Sequence, residues 1–106
     1  MANGNTRIWV KQGAVIDKLR KPITYAIGVI YKIYEKYGLD MYITSGCEGN
    51  HGANSLHYVN LAVDIKLPSA TYIEFIHNDI IRELGNKGYD IVLHPKSHWH
   101  VEHDPK

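Results

Sequence analysis

The sequence contains a single cysteine and no long apolar run. Cys47 is alone among 106 residues, which excludes an intramolecular disulfide and a zinc site built from several cysteines. No stretch approaches the roughly 20 apolar residues of a membrane-spanning helix, and the first residues lack the pattern of a secretory signal peptide. We therefore expect no membrane span, synthesis in the cytoplasm, and histidine and carboxylate ligands for any bound metal.

Neither sign of charge dominates the chain. Lys and Arg number 12 and Asp and Glu 11, so no general basic surface is available to bind nucleic acid, and we expect none as a partner. Hydrophobic residues make up 44% and charged residues 22%, which is ordinary for a folded globular domain. The length has room for one core, so we predict a single domain over residues 1–106, and a monomer.

Two stretches carry the three-and-four spacing of apolar residues that is typical of a helix. The first covers residues 22–37 and is followed by Gly38, a common residue just beyond a helix C-terminus. The second covers residues 70–84, and Ser69 stands at the position of an N-terminal cap. We predict a helix over each stretch.

The remaining apolar segments predict strands. Residues 61–67 alternate with a period of two, so Asp64 should point away from the face that carries Val63 and Ile65. Residues 39–44, 89–93 and 98–102 are further strand candidates, and residues 7–10 fit an edge strand or extended arm. This order predicts an α+β fold in which a small, mainly antiparallel sheet packs against two main helices.

Histidines are unusually clustered in this chain. Six of the seven fall in residues 51–57 or 94–103. His98 and His100 are two apart on a predicted strand, so both side chains leave the same face. Such a pair on a solvated strand is a common accident, so it does not by itself predict a metal site.

A second group of residues turns the pair into a candidate zinc site. His57 ends a long loop, and Asp64 follows seven residues later on a strand. Alone, Asp64 would be read as a surface carboxylate. Together with a distant histidine of the His98 and His100 pair, however, the two residues give the three-ligand set of a catalytic zinc site, in which water takes the fourth position.

The same residues carry a family resemblance. Segment 55–65, SLHYVNLAVDI, resembles the Ser-x-His-x-x-Gly-x-Ala-x-Asp motif of the zinc D-Ala-D-Ala carboxypeptidases and phage L-alanyl-D-glutamate endopeptidases, and segment 98–102, HWHVE, resembles their closing motif. The hedgehog signalling domain shares this fold, and segments 55–58, 62–65 and 94–100 are similar to it as well. The resemblance covers about residues 44–102 and implies one zinc ion on His57, Asp64 and His100.

Two functions are compatible with this resemblance. The first is a zinc metallopeptidase that cleaves amide bonds in peptidoglycan stem peptides, as a phage-type endolysin or a carboxypeptidase does. Without a signal peptide, such an enzyme would reach the cell wall through another route, such as a phage lysis system. The alternative is a non-catalytic, zinc-bearing module that binds a peptide or protein, because hedgehog is a signalling ligand.

Three departures from the family pattern bear on catalysis. Asn60 replaces the motif glycine, and Asn tolerates a left-handed backbone better than most residues. Glu48 stands where many of the peptidases carry an arginine that polarises the substrate carbonyl. The carboxylate that acts as general base in many relatives is missing, and His94 and His98 are the candidates to replace it, since histidine exchanges protons near neutral pH.

Other polar residues near these motifs have two possible interpretations. His51, Glu48 and Ser55 can contact substrate or the outer shell of the metal, although a solvated loop histidine at position 51 would be equally ordinary. Glu102 shares a face with His100 and can orient its imidazole through the second nitrogen, or it can be a surface carboxylate. We expect His77, on the apolar stripe of the second helix, to be a packed core histidine.

Overall fold

The computed structural model describes residues 5–47 and 60–105, which form two helices and five strands. Glu48, His51, Ser55 and His57, four of the predicted site residues, lie outside the described residues. The elements in chain order are β1 (Ile8–Val10), α1 (Lys21–Lys36), β2 (Met41–Ser45), β3 (Ala62–Lys66), α2 (Ala70–Leu84), β4 (Tyr89–His94) and β5 (His98–His103).

Helix α1 forms where the apolar periodicity predicts it, displaced by one residue at each end. Pro22 lies in the first turn, where its missing N–H costs no helical hydrogen bond. Just beyond the helix, Gly38 has a φ of 73°, and its N–H donates to the carbonyl of Glu35 at 2.9 Å. The buried face of α1 consists of Ile23, Ala26, Ile27, Ile30, Ile33 and Tyr34.

Helix α2 has the predicted bounds. Ser69 occupies the predicted N-cap position, but its side chain makes no capping hydrogen bond. Ile76, Ile80 and Leu84 are buried as the periodicity requires. Packing of this apolar stripe on the sheet and on α1 therefore supplies the stability that a cap would otherwise contribute.

The five strands form one sheet in the order β1-β2-β3-β5-β4. The pairs β2–β3, β3–β5 and β4–β5 are antiparallel, which confirms the predicted α+β fold with a mainly antiparallel sheet. The exception is β1, an edge strand parallel to β2. Parallel neighbours need a crossover connection, and α1 provides it.

Both helices cover one face of the sheet. Trp99, Val101, Val63 and Ile65 point towards them and are completely buried. The alternate residues of β3 and β5 point away from the helices, so each strand has one face in the core and one face that the helices do not cover. Within the described parts of the chain, neither helix is long and apolar enough to cross a membrane.

One acidic residue lies between the helices. Asp79 on α2 is 6% exposed, and its Oδ2 accepts hydrogen bonds from the Lys36 ammonium and the Tyr37 hydroxyl, each at 2.8 Å. Arg82 pairs with its Oδ1 at 3.0 Å. Burial opposes ionisation of Asp79, but the hydrogen bonds from Lys36 and Tyr37 outweigh it and hold the pKa of Asp79 below its usual value.

This lowered pKa predicts acid sensitivity. The ionised Asp79 stabilises the fold above the pKa of an unfolded aspartate, about 4, and this contribution is lost as the pH falls through the lower folded-state value. We expect Asp79→Asn to cost about 1–2 kcal/mol at pH 6, because the partners are largely solvent-exposed, and to flatten the pH dependence of stability. Urea unfolding at pH 6 and pH 3 measures both effects. The exposed Asp17→Asn is the control, and equal pH dependence in both variants would contradict the prediction.

Candidate metal centre

The register of two strands builds the site. Asp64 on β3 lies directly opposite His100 on β5, and Lys66 lies opposite His98. All four side chains leave the face that the helices do not cover, because the intervening Ile65 and Trp99 are buried in the core. Asp64, His98 and His100, which were predicted to share one site, are therefore brought together.

His100 lies between two carboxylates. Its Nδ1 is 2.9 Å from Oδ1 of Asp64, and its Nε2 is 2.7 Å from Oε1 of Glu102. All three side chains are largely buried, with 16–22% of their surface exposed. The contact between Glu102 and the second nitrogen of His100 has the form expected of an outer-shell carboxylate that fixes the orientation of a ligand imidazole.

The two carboxylates also favour the protonated form of this imidazole. The pKa of His100 is raised above its usual value, chiefly by the hydrogen bond to Asp64 and also by the bond to Glu102, and these outweigh the opposing effect of burial. When both ring nitrogens carry a proton, His100 donates to both carboxylates. Binding of a metal ion by His100 and Asp64 would release a proton from this imidazole.

His98 and His94 lie at increasing distance from Asp64. Nε2 of His98 is 3.8 Å from Oδ2 of Asp64, and Nδ1 of His98 shares a hydrogen bond with the Ser97 hydroxyl. His94 pairs with His98 across β4 and β5, and the two rings stack with centroids 4.6 Å apart. Of the two candidate bases, His98 is therefore the one beside the predicted ligands, and His94 contacts His98 from the neighbouring strand β4.

A cleft of about 490 Å³ opens next to Asp64 and His98. Strands β2, β3 and β5, the segment after β1 and the turn before β5 contribute to its walls. A register shift between Ile43 and Ser45 in β2 places Ser45 opposite Asp64. The lining residues are Lys11, Thr44, Ser45, Asp64, Lys66, Ser97 and His98.

Asp64 and His100 provide donors that suit zinc. A carboxylate oxygen and an imidazole nitrogen are common zinc ligands, and here they converge from neighbouring strands with the second imidazole nitrogen held by Glu102. The third predicted ligand, His57, lies outside the described residues. The described part of the site therefore fits two of the three ligands.

Three carboxylates beyond the histidines form a different cluster. Ligand atoms of Asp90, Glu102 and Asp104 lie within 4.8 Å of one another. Among residues 5–47 and 60–105, these three side chains are the group close enough together to hold a metal ion. Such acidic groups are common on protein surfaces without an ion. Oxygen ligands alone would suit a hard cation such as calcium or magnesium better than zinc.

Neither a scan against protein-family models nor a search of curated proteins gave a match for this chain. A function for this chain is therefore inferred from the site geometry and from the two sequence motifs.

Several residues near the site were missed by the sequence analysis. Lys66 follows Asp64 by two residues on one strand, so the same alternation that oriented Asp64 also places Lys66 beside the site. Lys11 had no such signal, because its position depends on the pairing of β1 with β2. Asp90 was missed for the same reason, since it lies opposite Glu102 on another strand.

The backbone at the start of β3 agrees with one expectation. Asn60 has a φ of 65°, the left-handed conformation that asparagine was expected to tolerate in place of the motif glycine. Its carbonyl accepts a hydrogen bond from the N–H of Arg20 at 3.1 Å. His77 was expected to be a packed core histidine, but it is only partly buried; its ring stacks on buried Trp99 and accepts a hydrogen bond from the indole N–H at 3.0 Å.

Proposed function

We propose that this chain is a zinc-dependent peptidase that cleaves amide bonds in peptidoglycan stem peptides, with zinc held by His57, Asp64 and His100. The observation that carries the proposal is the 2.9 Å approach of His100 Nδ1 to Asp64 Oδ1 beside a cleft. The resemblance of segments 55–65 and 98–102 to the zinc D-Ala-D-Ala carboxypeptidases and L-alanyl-D-glutamate endopeptidases supports both the ligand set and the substrate class.

Contacts within the chain support the proposed ligand role of His100. Glu102 holds Nε2 of His100 at 2.7 Å, so the other nitrogen of the ring faces Asp64. Zinc bound at this position would act as a Lewis acid toward an amide carbonyl and toward water. Because Asp64 lines the cleft, a short peptide bound there would lie next to this position.

His98 is the proposed general base. Its Nε2 lies 3.8 Å from Asp64 Oδ2, at the edge of the cleft, while Ser97 engages its other nitrogen. In this role, Nε2 of His98 takes a proton from the attacking water and then donates it to the leaving amine. His94 stacks on His98 and limits its movement, so we assign it a positioning role.

The proposal predicts hydrolysis that depends on both the metal and His98. We expect the wild type to release free amine from a stem peptide, and a chelator to abolish the release. His98→Ala should lower kcat about a hundredfold, the lower end of the usual effect of losing a general base, whereas His94→Ala should lower it much less. Amine release with a peptide of D- and L-residues, measured alongside the metal content of the same samples, provides the test.

Each result of this experiment has a distinct meaning. Activity that persists after complete removal of metal would contradict the zinc mechanism. Equal losses in His98→Ala and His94→Ala would remove the distinction between base and positioning residue. A zinc-loaded protein that is inactive on every stem peptide would favour the alternative, a non-catalytic module that binds a peptide or protein.

A further inference from the structure

We infer that Lys11 and Lys66 bind the free C-terminal carboxylate of the substrate peptide, in the cleft beside Asp64 and His98. The two lysines are then specificity-determining residues that select an acid over the corresponding amide. This assignment rests on the proposed function only for the identity of the ligand as a peptide. The cleft, its charges and their positions are properties of the described residues.

The two lysines reach the cleft from different elements. Lys66 is the last residue of β3, on the same face as Asp64 and opposite His98 on β5. Lys11 follows β1, and its backbone N–H donates to the carbonyl of Ile43 on β2 at 2.8 Å. The cleft therefore has one cation from the centre of the sheet and one from the segment after its edge strand.

Neither ammonium group has an ionic partner among the residues that the structure describes. Within residues 5–47 and 60–105, no carboxylate forms a salt bridge with Lys11 or Lys66, whereas Lys36 on α1 pairs with Asp79 at 2.8 Å. The ammonium of Lys66 instead lies 5.6 Å from the centre of the Tyr42 ring. This cation–π contact restrains the ammonium without neutralising it, so it stays available to an anion.

The charge balance of the cleft favours an anionic ligand. Two lysines face one carboxylate, Asp64, among the lining residues. In the proposed zinc-bound state, the negative charge of Asp64 is offset by the metal, which makes the remaining field more positive. A carboxylate suits two ammonium donors because charge-assisted hydrogen bonds are stronger than neutral ones.

The size of the cleft is consistent with the same ligand. A volume of about 490 Å³ lies within the usual range of pockets that hold small molecules. The Thr44 and Ser97 hydroxyls also line it and provide further polar contacts for the peptide backbone. A short peptide placed with its carboxylate on the lysines would have an amide bond within the same cleft as His98.

Titration of a matched pair of peptides tests the inference. The probes are N-acetyl-D-alanyl-D-alanine and its C-terminal carboxamide, added to the full chain in EDTA so that no turnover occurs, with binding followed by NMR chemical shifts. We expect the wild type to bind the acid about tenfold more tightly than the amide, as the gain from one charge-assisted hydrogen bond predicts. Lys66→Gln should reduce this preference, and the double variant with Lys11→Gln should abolish it.

Two further variants separate charge from folding. Lys66→Arg keeps the positive charge and should keep the preference for the acid. Lys87 lies just before β4, where it contacts the Tyr25 ring away from the cleft. Lys87→Gln should therefore leave the preference unchanged. Circular dichroism confirms that each variant is folded.

The possible outcomes are distinct from those of the peptidase test. Equal affinity for acid and amide, no measurable binding of either, or an unchanged preference in the double variant would each overturn the assignment of the lysines. Because the titration is performed in EDTA, the acid preference does not require zinc or hydrolysis. Failure of the proposed function would instead appear as missing zinc or missing amine release in the wild type.

Discussion

His100→Ala is expected to remove zinc from the protein and, with it, all amine release. In the proposed site His100 supplies one of three protein ligands, and its ring is already oriented by Glu102 at 2.7 Å and by Asp64 at 2.9 Å. Losing a ligand should weaken zinc binding by more than the roughly 10- to 100-fold that loss of an outer-shell partner costs. Metal analysis of the purified chain after dialysis should therefore find about one zinc per wild-type chain and essentially none in the variant.

A graded series makes this prediction specific. Glu102→Gln keeps the shape of the outer-shell side chain but removes its charge, so zinc binding should weaken by roughly 10- to 100-fold. His103→Gln alters another histidine of β5, which contacts the Tyr89 ring on the core side, and should leave zinc binding unchanged. Competition with a zinc-binding dye measures all three affinities.

Two results would contradict the ligand assignment. Full zinc content in His100→Ala would exclude this residue as a ligand. Equal losses in His100→Ala and His103→Gln would indicate a general effect on folding. If wild-type protein binds no zinc, the simplest explanation of the site is an ion-pair network in which protonated His100 bridges Asp64 and Glu102.

The features that the sequence predicted well are those set by local spacing. The bounds of α2 and the burial of its apolar stripe follow from a period of 3.6 residues, and the orientation of Asp64 follows from a period of two. The contact between Glu102 and His100 was one of two interpretations that the sequence left open, and it is possible because the two residues are two apart on one strand. None of these predictions requires knowledge of which strands are neighbours.

The features that local spacing alone does not predict depend on pairing between distant segments, and Asp64 and His100 were predicted to share a site only through the family resemblance. Asp64 meets His100 because β3 and β5 are adjacent in a particular register, and a shift of one residue would turn either side chain to the other face. The parallel pairing of β1 with β2, which brings Lys11 to the cleft, is equally non-local. The choice between His94 and His98 as the base also needed the register of β4 against β5.

The same strand serves the core and the site. In β5, Trp99 and Val101 are completely buried, while His98, His100 and Glu102 alternate with them on the opposite face. Packing of the core residues therefore fixes the direction in which the site residues leave the strand. This arrangement places the histidines on a rigid element, which holds a metal more accurately than a loop can.

Trp99→Ala is expected to be the most destabilising single substitution in the described part of the chain. The indole is completely buried, donates to His77 Nδ1 at 3.0 Å and meets the Tyr34 ring edge-on at 6.3 Å. Truncating a buried tryptophan costs about 3–5 kcal/mol. Because a domain of this size has a total stability of about 5–15 kcal/mol, the variant should be close to unfolding at 37 °C.

Urea denaturation followed by far-UV circular dichroism measures this loss without relying on tryptophan fluorescence. Trp99→Phe keeps most of the volume and removes the bond to His77, so we expect it to cost about 1–2 kcal/mol. Val92→Ala on β4, where the side chain is 45% exposed, should cost less than about 1 kcal/mol. A loss in Trp99→Ala no larger than that of Val92→Ala would exclude Trp99 as the centre of the core.

The temperature at which Trp99→Ala is assayed separates stability from site geometry. At low temperature, where the variant stays folded, β3 and β5 keep their pairing, and Asp64 and His100 should still bind zinc. On warming, zinc should be released together with the loss of helical signal, because the ligands come from strands that only the folded core holds side by side. Zinc release well before unfolding would show instead that Trp99 positions His98 and His100 directly, through the backbone of β5.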